Sequence, residues 1–364
     1  MVQVSEYSDV ELELTDEDFQ FIQDKVNDGN ENKPKIRLNP SDTQGSFKLR
    51  PEGHVGVVKL PSGKRIEIKP KIGTVKLLHI WNYVSADNNL SYEDLDTTSL
   101  EEGTQFLDII AEIYQKEVQK IIRRGLYRDY VEKEERSNFV KGKVLVEKQI
   151  QSPYRDKMHV KYEDITENNK LNKLILHATD VLRRRVNNRE LSSKLNKQYK
   201  KIRKSVDEER ITKGELNEIN TDTLSNYYEK AVLIAKQVVR NTYYESISTG
   251  QAPAYSFLIN MNRLFQDFVT KLMREIYPEK SVNEKPRNLF KTGKIRIRPD
   301  LLVSSSQGTE IVGDVKYMDS VGSSEFQQAI AYGLSEDTDC FLVRQGKGEI
   351  RTYEMEKKDI RAYE

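Results

Sequence analysis

The sequence predicts an α/β protein of the α+β, multi-domain kind, and three observations predict it. Strand-like segments with turn residues fill residues 1–84, which predicts a β-rich N-terminal domain. Helical spacing of apolar residues dominates 85–245, which predicts a mainly helical middle region. Residues 246–364 follow the order helix, strand, strand, helix, strand, strand, which predicts a C-terminal domain with a mixed sheet flanked by helices.

The N-terminal domain is predicted from a hairpin. Residues 54–60 and 64–72 have the composition of two strands, and the turn Pro61-Ser62-Gly63 joins them. Ahead of the hairpin, residues 10–14 alternate like a strand, and Thr15 begins a segment typical of a capped helix with acids in its first turn.

The middle region is predicted from two amphipathic helices. The first opens with a capping-box pair, Ser99 and Glu102, and ends at Gly125. Its apolar stripe comprises Phe106, Ile109, Ile110, Ile113 and Ile121. The second helix begins at Asn169.

A basic segment follows at residues 183–204, with Glu190 as its single acid. It is typical either of a solvated helix face or of a surface that faces phosphates. On the second alternative, the predicted DNA-contacting residues are Arg183, Arg184, Arg185, Lys200 and Lys201.

Charge and composition exclude several classes of protein. Lys and Arg total 59 and Asp and Glu total 58, so any nucleic-acid surface must come from local segregation of charge. The single cysteine, Cys340, excludes an internal disulfide framework and a cysteine-rich zinc site, and the four histidines lack metal-ligand spacing. Without a signal peptide or a run of 18 apolar residues, the chain is expected to be soluble and cytoplasmic, with no membrane partner.

The C-terminal domain is predicted to start with a strong helix over residues 256–277. Strand-like segments at 294–304 and 309–318 come next, then a helix from about Ser323 to Leu334 and two further strands.

Two acids and a lysine lie at the ends of the two predicted strands. Since strand side chains alternate, Asp314 and Lys316 share a face, and Asp300 joins them if the strands are neighbours. Two carboxylates and a carbonyl suit Mg²⁺ or Mn²⁺, and the lysine could orient a water or hold a phosphate. We therefore predict metal ligation by Asp300 and Asp314, with Lys316 as the third catalytic residue. The alternative is two surface acids with a salt-bridging lysine.

This pattern resembles the PD-(D/E)xK nuclease motif, with Pro299-Asp300 followed by Asp314-Val315-Lys316. Gln328 and Tyr332 lie four apart on the next predicted helix and look like the Q-x-x-x-Y element of RecB-type nucleases. That resemblance implies a place beside the active site and DNA, whereas ordinary helix packing is the alternative.

Several segments in order resemble McrC proteins, the nuclease subunits of McrBC modification-dependent restriction systems. They are residues 54–73, 123–150, 160–178 and 261–269. The resemblance implies a C-terminal endonuclease for methylcytosine-containing double-stranded DNA, working with McrB, a GTP-hydrolysing AAA+ ring. It also implies that the N-terminal domain docks on the ring and stimulates GTP hydrolysis, for which Lys69 and Lys71 are candidates. A charged strand edge that blocks aggregation is the alternative for these two lysines.

The sequence departs from the resemblance at Gln266, where family members commonly have Glu. Gln266 supplies no charge but can orient a water, and Asp267 points about 100° away around an ideal helix. No segment fits G-x-x-x-x-G-K-[ST], so GTP is expected on the partner and not on this chain. Two rival functions stay open: a non-catalytic adaptor that grips DNA and activates the GTPase, and a stand-alone repair nuclease.

Overall fold

The computed structural model describes most of the chain, in thirteen ranges: 1–28, 33–42, 45–85, 106–152, 156–212, 214–219, 226–244, 254–284, 287–288, 296–306, 308–346, 350–354 and 361–363. The chain divides into two compact units. The first comprises residues 1–91, 245–254 and 258–364, and the second comprises 92–244 and 255–257. The division into domains at 1–84, 85–245 and 246–364 stays a prediction, and Ser99 and Glu102 lie outside the described residues.

The N-terminal part of the first unit holds two small sheets. Its strands are β1 (Val2–Ser5), β2 (Val10–Glu13), β3 (Ile36–Pro40), β4 (Ser46–Pro51), β5 (His54–Lys59) and β6 (Arg65–Lys69). β1 pairs parallel with β6, and β6 pairs antiparallel with β5. β4 pairs antiparallel with both β2 and β3. The predicted hairpin is confirmed, with Gly63 at a φ of 84° in its turn.

Two helices complete this part. α1 (Asp16–Gln20) continues into a π-helical turn, Phe21–Val26, and α2 (Thr74–Ser85) follows the hairpin. Thr15 caps α1 through a capping box with Asp18, as the sequence predicts.

The second unit is built on helices that pack against one another. Its elements are α3 (Phe106–Arg124), β7 (Asp129–Ser137), β8 (Lys143–Val144), α4 (Val146–Gln151), β9 (Met158–Thr166), α5 (Lys170–Arg183), α6 (Arg189–Ile202), a 3₁₀ turn (Glu215–Asn217), α7 (Asn226–Arg240) and β10 (Thr242–Tyr244). α5 packs against α6 and α7, and α3 packs against the same two helices. Gly125 ends α3 with a φ of 106°, as predicted, and the helix predicted to begin at Asn169 is α5, which the Asn169 side chain caps. β9 pairs antiparallel with β7 and with β8.

The C-terminal part of the first unit is a mixed sheet with helices against it. After β11 (Tyr255–Asn260), its elements are α8 (Met261–Ile276), β12 (Ser281–Asn283), β13 (Arg287–Asn288), β14 (Arg296–Ile297), β15 (Leu301–Ser305), β16 (Gly308–Lys316), α9 (Ser323–Glu336), β17 (Asp339–Arg344), β18 (Thr352–Glu354) and β19 (Arg361–Tyr363). The strand order is β12-β15-β16-β17-β19-β18, with β16, β17 and β19 parallel and the other pairs antiparallel. The predicted α/β class is confirmed.

The predicted helix over residues 256–277 is wrong in its first part. Residues up to Asn260 form β11, and α8 begins at Met261, where the Asn260 side chain accepts a hydrogen bond from the Arg263 N–H at 2.9 Å. The short apolar run at residues 257–259 fits a buried strand as well as a helix. The cap at Asn260 shows where the helix starts. No helix in the described ranges is long and apolar enough to cross a membrane.

Candidate active site

The pairing of β15 with β16 brings the two predicted acids together. The strands are antiparallel with Leu301 opposite Gly313, so Asp300, just before β15, lies beside Asp314, near the end of β16. The sequence predicts Asp300 at the end of a strand, whereas in the structure it lies directly before one. β14 ends at Ile297, and β15 begins at Leu301, after Pro299 and Asp300. Its Oδ2 accepts a hydrogen bond from the Val315 N–H at 2.9 Å, which fixes the carboxyl against β16.

Asp314 and Lys316 share one face of β16, as predicted, and form an ion pair. The Lys316 Nζ lies 2.8 Å from the Asp314 Oδ2. Asp314 is only 1 % exposed, whereas the Lys316 side chain is 25 % exposed. The ammonium therefore stabilises a carboxylate that is costly to bury alone and extends from it toward solvent.

The pKa values of Asp300 and Lys316 are both raised in this site. Burial, followed by the neighbouring charge of Asp314, raises the pKa of Asp300 to about 6, although the Val315 N–H and the Lys316 ammonium oppose the shift. Burial disfavours the charged form of Lys316, but the two carboxylates outweigh burial and raise its pKa. Excess negative charge in a buried site is the condition that a divalent cation would relieve.

The residues present fit a magnesium site with an open coordination sphere. Asp300 and Asp314 offer two carboxylates, and Mg²⁺ commonly uses one or two of them, with waters and substrate phosphates as its other ligands. No group of three or more His, Cys, Asp or Glu side chains suited to a metal occurs among the residues that the structure describes. A metal ion held by Asp300 and Asp314 would therefore take its remaining ligands from water and substrate.

Gln266, where the sequence departs from the McrC resemblance, lies beside Asp300. From α8 its Nε2 donates to the Asp300 Oδ1 at 3.0 Å, so the side chain orients this carboxyl. The Asp267 carboxylate pairs with Arg263 at 2.9 Å on the same helix. Asp267 thus engages Arg263, in line with the expectation that it does not replace the missing acid.

If the site cleaves DNA with Mg²⁺, as the nuclease resemblance implies, Gln266→Glu is expected to lower the Mg²⁺ concentration needed for half-maximal cleavage by about tenfold, because it adds a third carboxylate beside Asp300. Without metal the same change removes a donor to Asp300 and adds repulsion, so the melting temperature should fall and Mg²⁺ should restore it. Cleavage rates and melting curves across a Mg²⁺ titration measure both effects. Gln266→Met, which removes the donor without adding charge, is the control. An equal Mg²⁺ dependence of both variants would contradict the expectation.

Gln328 and Tyr332 on α9 are linked by hydrogen bonds to the segment that precedes Asp300. The Gln328 Nε2 donates to the Tyr332 hydroxyl at 2.6 Å, and that hydroxyl donates to the Arg298 carbonyl at 3.2 Å, two residues before Asp300. The Tyr332 ring packs in a buried cluster with Leu302, Val312 and Cys340. The pair therefore combines core packing with a tie to the segment that carries Asp300, and its contact with DNA stays a prediction.

Arg183, Arg184 and Arg185 of the basic segment each have a partner within the second unit. Arg183 and Arg184 both form ion pairs with Asp180. Arg185 is only 3 % exposed, and its guanidinium donates to the Val181 carbonyl at 2.8 Å and lies over the Tyr255 ring. This burial keeps the guanidinium from the surface in this structure, and a contact of Arg185 with DNA stays a prediction.

Lys200 and Lys201 are exposed in the last turn of α6 and stay candidates for DNA contact.

The two predicted docking lysines differ in surroundings. β6 ends at Lys69, whose Nζ donates to the Gln3 side chain at 2.9 Å in an exposed position. Lys71 lies beyond the strand, 19 % exposed, with its Nζ 3.3 Å from Asp319 and 4.5 Å from the centre of the Tyr317 ring. The Lys71 ammonium is therefore engaged by residues next to the site, and the docking role of both lysines stays a prediction.

Comparison with known proteins decides the family. The sequence profile of the family described as McrBC 5-methylcytosine restriction system component matches residues 49–343. The chain belongs to this family. The resemblance to McrC proteins is thereby confirmed at family level. No curated protein matches the chain.

Two solved structures are similar to this chain. One is a chain from the refined half-complex of the tetradecameric assembly of Thermococcus gammatolerans McrB AAA+ hexamers with bound McrC. It is 15% identical with a TM-score of 0.64, and the match covers 100% of this chain and 94% of that chain. A second is from the cryo-EM structure of the Thermococcus gammatolerans McrBC complex, 16% identical with a TM-score of 0.48, covering 75% of this chain and 86% of that chain. At these identities the first match shows a shared fold.

Proposed function

We propose that this member of the McrBC family is the endonuclease subunit of a restriction complex. It would cleave double-stranded DNA that contains methylcytosine, by Mg²⁺- or Mn²⁺-dependent hydrolysis of a phosphodiester. The observation that carries the proposal is the assembly of Asp300, Asp314 and Lys316 at the paired ends of β15 and β16. Cleavage of methylated DNA that requires Mg²⁺ and stops on chelation tests it.

Each residue of the site has a role in this reaction. Asp300 and Asp314 would hold the cation, which when bound polarises a phosphodiester oxygen and acidifies a water. Lys316, partly exposed beside Asp314, would hold the scissile phosphate or orient the attacking water. Gln266 and the Val315 N–H keep the two oxygens of Asp300 in fixed directions, so that the ligand geometry exists before DNA arrives.

An AAA+ partner is the second part of the proposal. The matched Thermococcus gammatolerans assembly contains McrB AAA+ hexamers with bound McrC, and this sequence has no phosphate-binding loop of its own. We place GTP on an McrB-like ring and expect this chain to stimulate its hydrolysis.

We further propose that the arm formed by β7, β8, α4 and β9 contacts that partner, in addition to the N-terminal docking that the McrC resemblance implies. Large exposed apolar side chains are concentrated there: Tyr130, Phe139, Val140, Val146, Ile150 and Ile165. Such a concentration is typical of a protein interface.

A Phe139→Ser, Val140→Ser double variant is expected to raise the concentration of this chain needed for half-maximal GTPase stimulation by roughly tenfold or more, because two interface side chains are lost. GTP hydrolysis by the partner, titrated with each variant, measures it. Ile350→Ser is the control, since Ile350 is 81% exposed but lies outside the arm. Equal losses in both variants would show that the arm has no special role.

A non-catalytic adaptor is the second candidate function, and Gln266 favours it. With a neutral side chain beside Asp300, the site has one carboxylate fewer than related nucleases commonly provide. An adaptor would grip DNA and accelerate GTP hydrolysis without cutting. Cleavage and GTPase assays on the same mixture separate the two functions.

A further inference from the structure

The residue after Lys316 is attached to the N-terminal part of the same unit. We propose that Tyr317, held by Glu6, is a positioning residue that fixes the Lys316 ammonium for catalysis. This inference rests on the proposed nuclease function. The two residues are 311 positions apart in sequence, and each is 3 % exposed.

The hydrogen bond between them joins two buried polar groups. The Tyr317 hydroxyl donates to the Glu6 Oε1 at 2.7 Å, and the Lys71 backbone N–H donates to the same oxygen at 2.7 Å. Burial raises the pKa of the Glu6 carboxyl, which these two donors partly offset. A buried hydroxyl is costly to leave unpaired, so the bond to Glu6 holds the Tyr317 side chain in place.

The ring of Tyr317 is also held. The Lys71 Nζ lies 4.5 Å from its centre, and the Phe265 ring, next to Gln266 on α8, lies 5.8 Å away. Lys71 in turn pairs with Asp319, two residues beyond Tyr317. The side chains of Tyr317 and Asp319 therefore both anchor the segment that follows β16.

This anchoring matters because the pairing of β16 with β17 ends at Lys316, the proposed catalytic lysine. The last registered pair between β16 and β17 is Lys316 opposite Arg344. Beyond this pair, the hydrogen bond and the ring contacts of the Tyr317 side chain fix the backbone. Lys316 has a flexible four-carbon stem, so its ammonium stays at the reacting phosphate only if its own backbone is fixed.

Tyr317→Phe is expected to lower kcat for cleavage by about ten- to a hundredfold with little change in KM, since a small displacement of a catalytic group has an effect of this size. Glu6→Gln keeps the accepting oxygen, so its kcat should stay within about threefold of wild type. Tyr83→Phe is the matched control, because it removes a Tyr–Glu hydrogen bond of similar length, to Glu275, elsewhere in the unit. Its kcat should not change. The assays use the full chain with its AAA+ partner, GTP and Mg²⁺.

Amide hydrogen exchange of residues 312–318 on the same proteins supplies a readout that needs no cleavage. Faster exchange in Tyr317→Phe, with no change in Tyr83→Phe or Glu6→Gln, is the expected result. Unchanged exchange and unchanged kcat in Tyr317→Phe would overturn the positioning role, as would an equal loss of kcat in Tyr83→Phe. If the wild type does not cut, the nuclease proposal fails, whereas the exchange rates still decide whether Tyr317 fixes the end of β16.

Discussion

Asp314→Asn should lower DNA cleavage by on the order of a hundred- to a thousandfold and leave stimulation of the partner's GTPase unchanged. Asparagine keeps the size of a side chain that is 1 % exposed, so the fold should persist. It removes the negative oxygen that would bind the cation and turns an amide toward the Lys316 ammonium. Single-turnover cleavage of methylated DNA and GTP hydrolysis, measured in one mixture, give both values.

The control for this variant lies on the same strand. Glu310→Gln makes the same chemical change on β16, but Glu310 is exposed and pairs with Lys280 at the surface. It should cleave at the wild-type rate. Full cleavage by Asp314→Asn would move the chemistry away from this site, and a joint loss of cleavage and GTPase stimulation would indicate a damaged fold.

Lys316→Met should lower cleavage by about a hundred- to a thousandfold through loss of the charge that holds the phosphate or orients the water. It should also destabilise the metal-free protein by roughly 3 kcal/mol, because Asp314 stays buried without its cation. Mg²⁺ at the two carboxylates should then restore part of the lost stability. Cleavage kinetics and denaturant unfolding with and without Mg²⁺ measure these effects.

A surface ion pair with one partner, Glu310, on the same strand provides the comparison. Lys280→Met breaks the pair with Glu310, whose side chains are 31% and 39% exposed, and should cost about 0.5 kcal/mol without changing cleavage. If Lys316→Met were as stable as Lys280→Met and insensitive to Mg²⁺, the carboxylates would not form the proposed cation site.

Local patterns predicted much of the fold because they act over a few residues. The hairpin turn at Gly63, the helix start at Asn169 and the helix end at Gly125 each depend on a residue whose conformation or side chain decides the structure. The juxtaposition of Asp300 with Asp314 was predictable because alternation along a strand and pairing with its neighbour fix which side chains meet.

Contacts between distant segments were not predictable in the same way. Nothing near Arg185 in the sequence shows that Tyr255 covers its guanidinium, and nothing near Lys71 shows the Tyr317 ring. The hydrogen bond from Tyr317 to Glu6 also spans most of the chain. The boundary between β11 and α8 was misplaced because apolar spacing alone does not separate a buried strand from a helix.

Cleavage of a cytosine-methylated plasmid with Mg²⁺ and GTP tests the central claim most directly. The wild-type chain would be assayed alone, with its McrB-type AAA+ protein, and with that protein on unmethylated plasmid. We expect the complete mixture to cut the methylated plasmid, with no cutting by the chain alone and none of the unmethylated plasmid. Faster GTP hydrolysis on addition of the chain, with the methylated plasmid left intact at every Mg²⁺ concentration, would contradict the nuclease assignment and establish the adaptor.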